Sequence, residues 1–183
     1  MKPLLVRYEQ VNTNDFDKWF TGSVVVDSTN KPLLVYHGTV TEFSIFKTKP
    51  EELDSWYGWG ESLLGASFSE SKDVAMTYPP SIPIDADIKR RVVAVYLKIT
   101  HPIKFRSLNG LRKSFLSFLD VNGFSHHPLK AKNNAMSFRE YLEDQGYDGI
   151  TFLEGYSFDT IKGKARVWMA FYPGQIRIVE IID

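Results

Sequence analysis

The sequence predicts an α+β domain built from many short strands and a few short helices. Apolar, β-branched runs recur along the chain and end at turn residues, whereas segments with helical spacing are few. The helical segments do not alternate regularly with the strand runs, so a doubly wound parallel sheet is not expected. No repeat, low-complexity stretch or linker divides the 183 residues, which predicts one domain over residues 1–183.

The first half of the chain contains signals for two helices, a hairpin and a short strand. Residues 12–20 place asparagine and threonine caps before an apolar stripe, which predicts a short helix. Two apolar runs surround Asp-Ser-Thr-Asn within 23–39 and predict a hairpin. A strand is predicted over 66–69 and a serine-capped helix over 71–78. Three prolines then make 78–89 irregular.

The second half is rich in strands. These are predicted over 90–105, 147–154, 166–173 and 175–182. Apolar residues at helical spacing predict a helix over 107–123. A second helix is predicted over 137–146, starting at Ser137 and ending at a glycine, with a polar connector over 126–136 before it.

Composition argues against several classes of function. Lys plus Arg and Asp plus Glu number 22 each, so no net positive charge attracts nucleic acid or an anionic membrane. The absence of cysteine excludes disulfides and a thiol nucleophile. His126 and His127 are adjacent and do not form a chelating pair, so no metal is expected. The short apolar start and the lack of a run of transmembrane length predict a cytoplasmic location.

The run LLVY ends in His37, Gly38 and Thr39, and this strand end is the first candidate site. A histidine followed by a glycine puts an imidazole and an unobstructed backbone in the same place. Such a pair can hold a carboxamide through main-chain hydrogen bonds and a sugar hydroxyl through the ring. Taken alone, His37 is better interpreted as a half-buried structural histidine.

Four more segments follow YHGTVTEFSIF in a particular order: GASFSESKDVAMTY, VVAVYLKITHPIKF, GYDGITF and VWMAFYPGQIRIVE. The ordered set resembles the ADP-ribosyltransferase domains in polyvalent proteins of phages and conjugative elements, which are relatives of the poly(ADP-ribose) polymerase and diphtheria-toxin branch. The resemblance covers nearly the whole chain except an insert at about 107–140. It implies two small packed antiparallel or mixed sheets, short flanking helices and a central cleft for NAD.

The resemblance implies roles for the strand-end triplet. His37 matches the family histidine that bonds the ribose on the nicotinamide side. Gly38 matches the glycine whose backbone holds the nicotinamide carboxamide, and Thr39 completes the triplet. His37 is therefore expected to be catalytic, and all three residues are expected to bind NAD.

The second segment supplies the other expected NAD-binding residues. Gly65 and Phe68 match the family's second strand, and Tyr78 matches the tyrosine that stacks on the nicotinamide ring and is expected to be catalytic. Ala75 stands where many members have a serine, and Ser67 replaces a common aromatic in the pocket. From periodicity alone, Tyr78 would be a core aromatic on a helix face.

The last segment departs from the family pattern. Counted back from Gln175, the position of the family glutamate is Val167, so no carboxylate is there. That glutamate bonds the ribose 2′-hydroxyl and orients the incoming nucleophile; relatives without it still transfer a single ADP-ribose. Possible stand-ins are Glu70, Gln175, Glu61, Asp148 and Glu154. Each of the four carboxylates is better interpreted as a solvated surface group, and Gln175 fits a turn-closing structural role at least as well.

The resemblance implies a mono-ADP-ribosyltransferase that cleaves NAD without a metal and modifies a macromolecule, expected to be a host protein, in a bacterial or phage-infected cell. Two alternatives stay open. A binding or virion module that has lost turnover is favoured by Val167. A transferase acting on nucleic acid is disfavoured by the zero net charge, since KRR at 89–91 and LKAK at 129–132 are the only basic clusters.

Overall fold

The computed structural model of the chain describes residues 13–41, 43–53, 60–78, 89–158 and 161–182. Nearly all of the proline-rich segment that is predicted to be irregular lies outside these residues. Within them, no helix combines the length and the apolar composition that crossing a membrane requires.

The strands of the described residues form one mixed sheet. They are β1 (Val35–Thr39), β2 (Ala66–Ser69), β3 (Arg91–Leu97), β4 (Pro102–Lys104), β5 (Gly149–Phe158), β6 (Ile161–Ala170) and β7 (Ile176–Ile182). Their order across the sheet is β4-β5-β6-β2-β1-β3-β7. Only the β4–β5 pair is parallel among these neighbours. The predicted α+β class is confirmed.

The prediction of two separate sheets needs correction. The strands β4-β5-β6-β2 form one half of the sheet and β1-β3-β7 the other, and the two halves are joined through β1 and β2. These strands pair only at Tyr36 and Ser69. By contrast, β1 pairs with β3 along its whole length, and β2 does the same with β6. Each half therefore keeps a complete ladder of its own. The edge of β1 that faces β2 has no strand partner beyond Tyr36 among the described residues.

In the part of the chain that the structure describes, four α-helices flank the sheet. They are α1 (Thr13–Phe20), α2 (Lys72–Met76), α3 (Leu108–Val121) and α4 (Ala131–Asp144). Ser71 and Ser107 cap α2 and α3, because each side chain accepts a hydrogen bond from the backbone amide three residues later. The predicted starts of these two helices are confirmed, as is the short helix α1.

Helices α3 and α4 cover the β5–β6 half of the sheet and bury one of two cores. Its side chains include Leu111, Phe115 and Leu119 of α3, Phe138 and Leu142 of α4, and Ile150, Phe152, Val167 and Met169 of the strands. The second core surrounds β1 and β3 and includes Val35, Phe46, Phe68, Val95 and Trp168. Most of the segment predicted to be an insert thus forms the helical layer over one half of the sheet.

Two predicted elements differ from the observed ones for tertiary reasons. The predicted strand 90–105 is two strands, β3 and β4. The carboxylate of Asp148 accepts hydrogen bonds from the backbone amides of Thr100 and His101 and holds the chain between them in a turn. The predicted hairpin at 23–39 is reduced to a single bridge between Val26 and Pro32, because its second run, Val35–Thr39, pairs with β3 instead.

Helix α4 begins at Ala131, so Ser137 lies inside the helix and does not cap it. The polar connector is correspondingly shorter than predicted. Asn134 and Ala135 in the added turns are buried. Packing of these turns against α3 and the segment before it extends the helix beyond its local capping signal.

Candidate active site

A cavity of about 320 Å³ lies where β1 and β2 diverge. Residues of β1, β2, β5, β6, the end of α2, the start of α3 and the turn Glu61–Leu63 line it. Five of the residues expected to bind NAD line it, namely His37, Gly38, Ser67, Phe68 and Tyr78. The fold therefore brings together two segments that are about thirty residues apart in the chain.

His37 bridges the gap between β1 and β2. Its Nδ1 lies 2.8 Å from the carbonyl oxygen of Ser67, which can only accept, so Nδ1 carries the proton. Burial lowers the pKa of His37 below its ordinary value, and the bond to Ser67 offsets part of that effect. The imidazole is therefore neutral near pH 7. Its Nε2 has a lone pair that can accept a hydrogen bond from a ligand hydroxyl.

Three phenylalanines hold the imidazole ring of His37 in place. The ring centroids of Phe46, Phe68 and Phe43 lie 5.1, 5.6 and 6.0 Å from that of His37. Phe46 and Phe43 meet the imidazole edge to face. The FSIF segment after the His-Gly-Thr triplet therefore supplies the packing that fixes the orientation of the histidine.

Gly38 is in close contact with the end of α2. A Cβ at this position would lie 1.7 Å from the carbonyl oxygen of Ala75 and 3.1 Å from the Cβ of Tyr78. Only glycine lets the helix approach β1 so closely. The contact places Tyr78, two residues beyond the end of α2, against the same strand end as His37.

Tyr78 is half-buried, and its hydroxyl faces a carboxylate from β5. The hydroxyl oxygen lies 3.4 Å from both carboxylate oxygens of Glu154, a longer contact than most hydrogen bonds between oxygens. Burial raises the pKa of the Tyr78 phenol, and the charge of Glu154 and this contact raise it further. Burial also raises the pKa of Glu154, and the contact with Tyr78 opposes that effect.

Val167 is buried in the cavity wall on β6, so no carboxylate enters from this position. It pairs with Phe152 of β5, and Glu154 follows two residues later on the same face of that strand. Glu154 lines the cavity together with Val167 and Phe152. The cavity thus has a carboxylate from the neighbouring strand although Val167 supplies none, and Glu154 is half-buried, unlike the solvated surface group that the sequence suggests.

A second carboxylate in the cavity lining is paired with a guanidinium group. Glu61 is buried, and its Oε1 accepts hydrogen bonds from Nε and Nη2 of Arg112 on α3 at 2.9 and 2.6 Å. Arg112 also lines the cavity, and about a third of its side chain is exposed (35%). Nothing local in the sequence indicates this pair, because the two residues come from a turn and a helix 51 positions apart.

Two of the residues expected to bind NAD have structural contacts and do not line the cavity. The hydroxyl of Thr39 accepts a hydrogen bond from the backbone amide of Thr41 and contacts its hydroxyl. A Cβ on Gly65 would lie 2.5 Å from the carbonyl oxygen of Ala170, so glycine is needed for β2 and β6 to approach. Their direct contact with a ligand is not supported by this geometry.

Glu70 and Gln175, two of the possible stand-ins for the family glutamate, also lie outside the cavity lining. Glu70 accepts a hydrogen bond from the indole of Trp168 at 3.0 Å. The side chain of Gln175 is buried, accepts from the amides of Phe171 and Tyr172, and donates to the carbonyl of Asp148. Gln175 therefore closes the turn between β6 and β7.

The remaining histidines do not indicate a metal site. His126 pairs with Asp120 at the surface, His127 accepts from the amide of Leu129, and His101 contacts the carbonyl of Gly146. Within the described residues, no group of three or more histidine, aspartate or glutamate side chains could hold a metal ion.

The family model for ADP-ribosyltransferase in polyvalent proteins matches residues 27–180. No curated protein and no solved structure matches the chain. The matched span contains every residue of the cavity lining and nearly all of the sheet. The chain therefore belongs to the family of ADP-ribosyltransferases in polyvalent proteins.

Proposed function

We propose that the protein is a mono-ADP-ribosyltransferase that binds NAD in this cavity, breaks its nicotinamide–ribose bond and transfers one ADP-ribose to a macromolecule, chiefly a host protein. The observation that carries the proposal is the meeting in one cavity of a fixed neutral imidazole, a half-buried tyrosine and a strand edge that has no partner within the described residues. These three features suit the ribose, the carboxamide and the nicotinamide ring respectively.

The nicotinamide would lie between Tyr78 and the end of β1. The phenol ring offers a flat face for stacking on the nicotinamide. The edge of β1 that faces β2 has no strand partner beyond Tyr36 among the described residues, and the Gly38 backbone at this strand end would hydrogen-bond the carboxamide. Nε2 of His37, left without a proton because Nδ1 carries it, would accept a hydrogen bond from a ribose hydroxyl.

The chemistry requires positioning more than acid or base strength. The bond from C1′ to the ring nitrogen breaks, and its electron pair leaves with nicotinamide, which becomes neutral. The acceptor nucleophile then forms a bond to C1′ and loses its proton. Because positive charge develops on the ribose, a nearby carboxylate stabilises the transition state. Of the two carboxylates that line the cavity in the described part of the chain, Glu61 pairs with Arg112, whereas Glu154 contacts the Tyr78 hydroxyl; we assign this role to Glu154.

The test is incubation of the purified protein with NAD labelled in its adenylate portion, in a bacterial lysate, with release of nicotinamide measured in parallel. The expected result is one or more labelled protein bands together with nicotinamide release. Label recovered in nucleic acid would instead support the nucleic-acid-directed transferase. If neither label nor nicotinamide appears, turnover is absent and the proposed activity is contradicted.

The second candidate is a module that binds NAD with little or no turnover. Val167 favours it, because the carboxylate that family members place at this position is missing. In that case NAD binds but nicotinamide is not released. Val167→Glu then raises nicotinamide release above that of the parent, whereas in an active enzyme that uses Glu154 the same change disturbs the buried wall and gives no gain.

A further inference from the structure

Arg112 is the only lysine or arginine among the described residues that line the cavity. It extends from the first turns of α3, and about one third of its side chain is accessible (35%). The other lining residues are mainly apolar, hydroxyl-bearing or acidic. A single, partly exposed cation in such a lining is a place where a ligand anion can gain a charge-assisted hydrogen bond.

The guanidinium of Arg112 is held by a buried partner on one side. Nε and Nη2 both donate to the same oxygen of Glu61, and the Glu61 side chain is almost fully buried (6% exposed). Within the described part of the chain, Nη1 donates no hydrogen bond. The buried Glu61 carboxylate fixes the planar guanidinium group, so Nη1 is already oriented before a ligand binds. This orientation lowers the entropy cost of binding.

The size of the cavity limits how much of a dinucleotide can enter it. About 320 Å³ is at the small end of ligand pockets. The nicotinamide and its ribose fit a space of that size, whereas the two phosphates and the adenosine must extend towards the rim. The partly exposed guanidinium lies in the α3 wall of the same cavity.

We propose that Arg112 is a binding residue for the pyrophosphate of NAD, oriented for this contact by Glu61. This inference rests on the proposed function, since it takes NAD to be the ligand. The pair also links the turn Glu61–Leu63 to α3. The experiment must therefore separate ligand binding from a purely structural role.

The experiment is calorimetric titration of the parent, Arg112→Gln, the double variant Glu61→Gln/Arg112→Gln, and Lys113→Gln with three probes. NAD and ADP-ribose contain the pyrophosphate, and nicotinamide riboside does not. The double variant avoids leaving the Glu61 carboxylate buried and charged without Arg112, so it stays folded if the single variant does not. Lys113→Gln removes a charge from the next, exposed residue of α3 as the matched control.

Loss of a hydrogen bond to a charged group corresponds to about a tenfold or greater loss of affinity. We expect both Arg112 variants to bind NAD and ADP-ribose about tenfold or more weakly than the parent, with nicotinamide riboside binding unchanged. Lys113→Gln should match the parent for all three probes. Added salt should weaken NAD binding more in the parent than in the double variant.

Unchanged NAD and ADP-ribose affinities in the Arg112 variants would overturn the inference. An equal loss for nicotinamide riboside would also overturn it, because the residue would then shape the cavity and not bind phosphate. A parent that binds ADP-ribose through Arg112 but not NAD would support the phosphate contact and contradict the proposed function. A parent that binds none of the probes would overturn both.

Discussion

At the scale of single residues, His37 and Tyr78 contact different parts of the proposed substrate. Tyr78→Ala removes the stacking surface for nicotinamide, and His37→Ala removes the acceptor for the ribose hydroxyl. Each change should reduce NAD turnover by about a hundredfold, as expected when one positioning contact is lost. Nicotinamide release measures the effect, and circular dichroism checks that each variant is folded. A parent rate that neither change alters would show that this strand end is an ordinary part of the sheet.

Glu154 should make the stability of the protein depend on pH in a predictable direction. Because its pKa is higher in the folded state than in the unfolded state, its stabilising contribution is present below the ordinary glutamate pKa and is lost as pH rises through the folded value. Glu154→Gln, which cannot ionise, should therefore unfold at higher urea than the parent at pH 7.5. The difference should shrink at pH 4.

The control for this comparison is Glu140→Gln, which removes a carboxylate from an exposed position on α4. The stability difference between Glu140→Gln and the parent should not show the gain at pH 7.5 that shrinks at pH 4, which is expected for Glu154→Gln. If Glu154→Gln is less stable than the parent at pH 7.5, the charged Glu154 carboxylate is stabilised by its surroundings, and the expected rise in its pKa is wrong.

At the scale of elements, the contact between β1 and α2 depends on Gly38. Gly38→Ala should destabilise the fold by about 3 kcal/mol, the upper end of usual overpacking costs, because the new Cβ meets backbone atoms of Ala75 that cannot move alone. The displaced helix end should also carry Tyr78 away from the cavity and lower NAD affinity. Urea unfolding and NAD titration measure the two effects.

Gly155→Ala is the matched control, since Gly155 lies on β5 and a Cβ there would meet nothing within 4 Å. It should leave stability within about 0.5 kcal/mol of the parent, as is usual for surface changes. Equal stability of Gly38→Ala and Gly155→Ala would contradict the close approach of α2 to β1.

At the scale of the whole molecule, NAD should stabilise the folded state by mass action. NAD at ten times its dissociation constant adds about 1.4 kcal/mol to the free energy of unfolding. For a chain of this size, that corresponds to a rise of about 3–6 °C in melting temperature. The shift should be smaller for Tyr78→Ala at the same NAD concentration. No shift even at millimolar NAD would contradict binding in the cavity.

Local chemistry determined the elements that the sequence predicts well. The strand Ala66–Ser69, the serine cap of α2 and the start of α3 were predictable because turn residues, capping serines and helical periodicity act within a few positions of the chain. The meeting of His37 with Tyr78 followed from the ordered resemblance of segments. The family relationship, which the match to residues 27–180 shows, was also predictable from the sequence alone.

Only the tertiary structure decided which polar groups share the cavity. Glu154 reaches it because β5 pairs with β6 in one register, and Arg112 reaches it because α3 packs over the same half of the sheet. Gln175 does not line the cavity, because its side-chain amide closes the turn between β6 and β7. Strand register and helix packing depend on contacts between distant residues, which local periodicity does not encode.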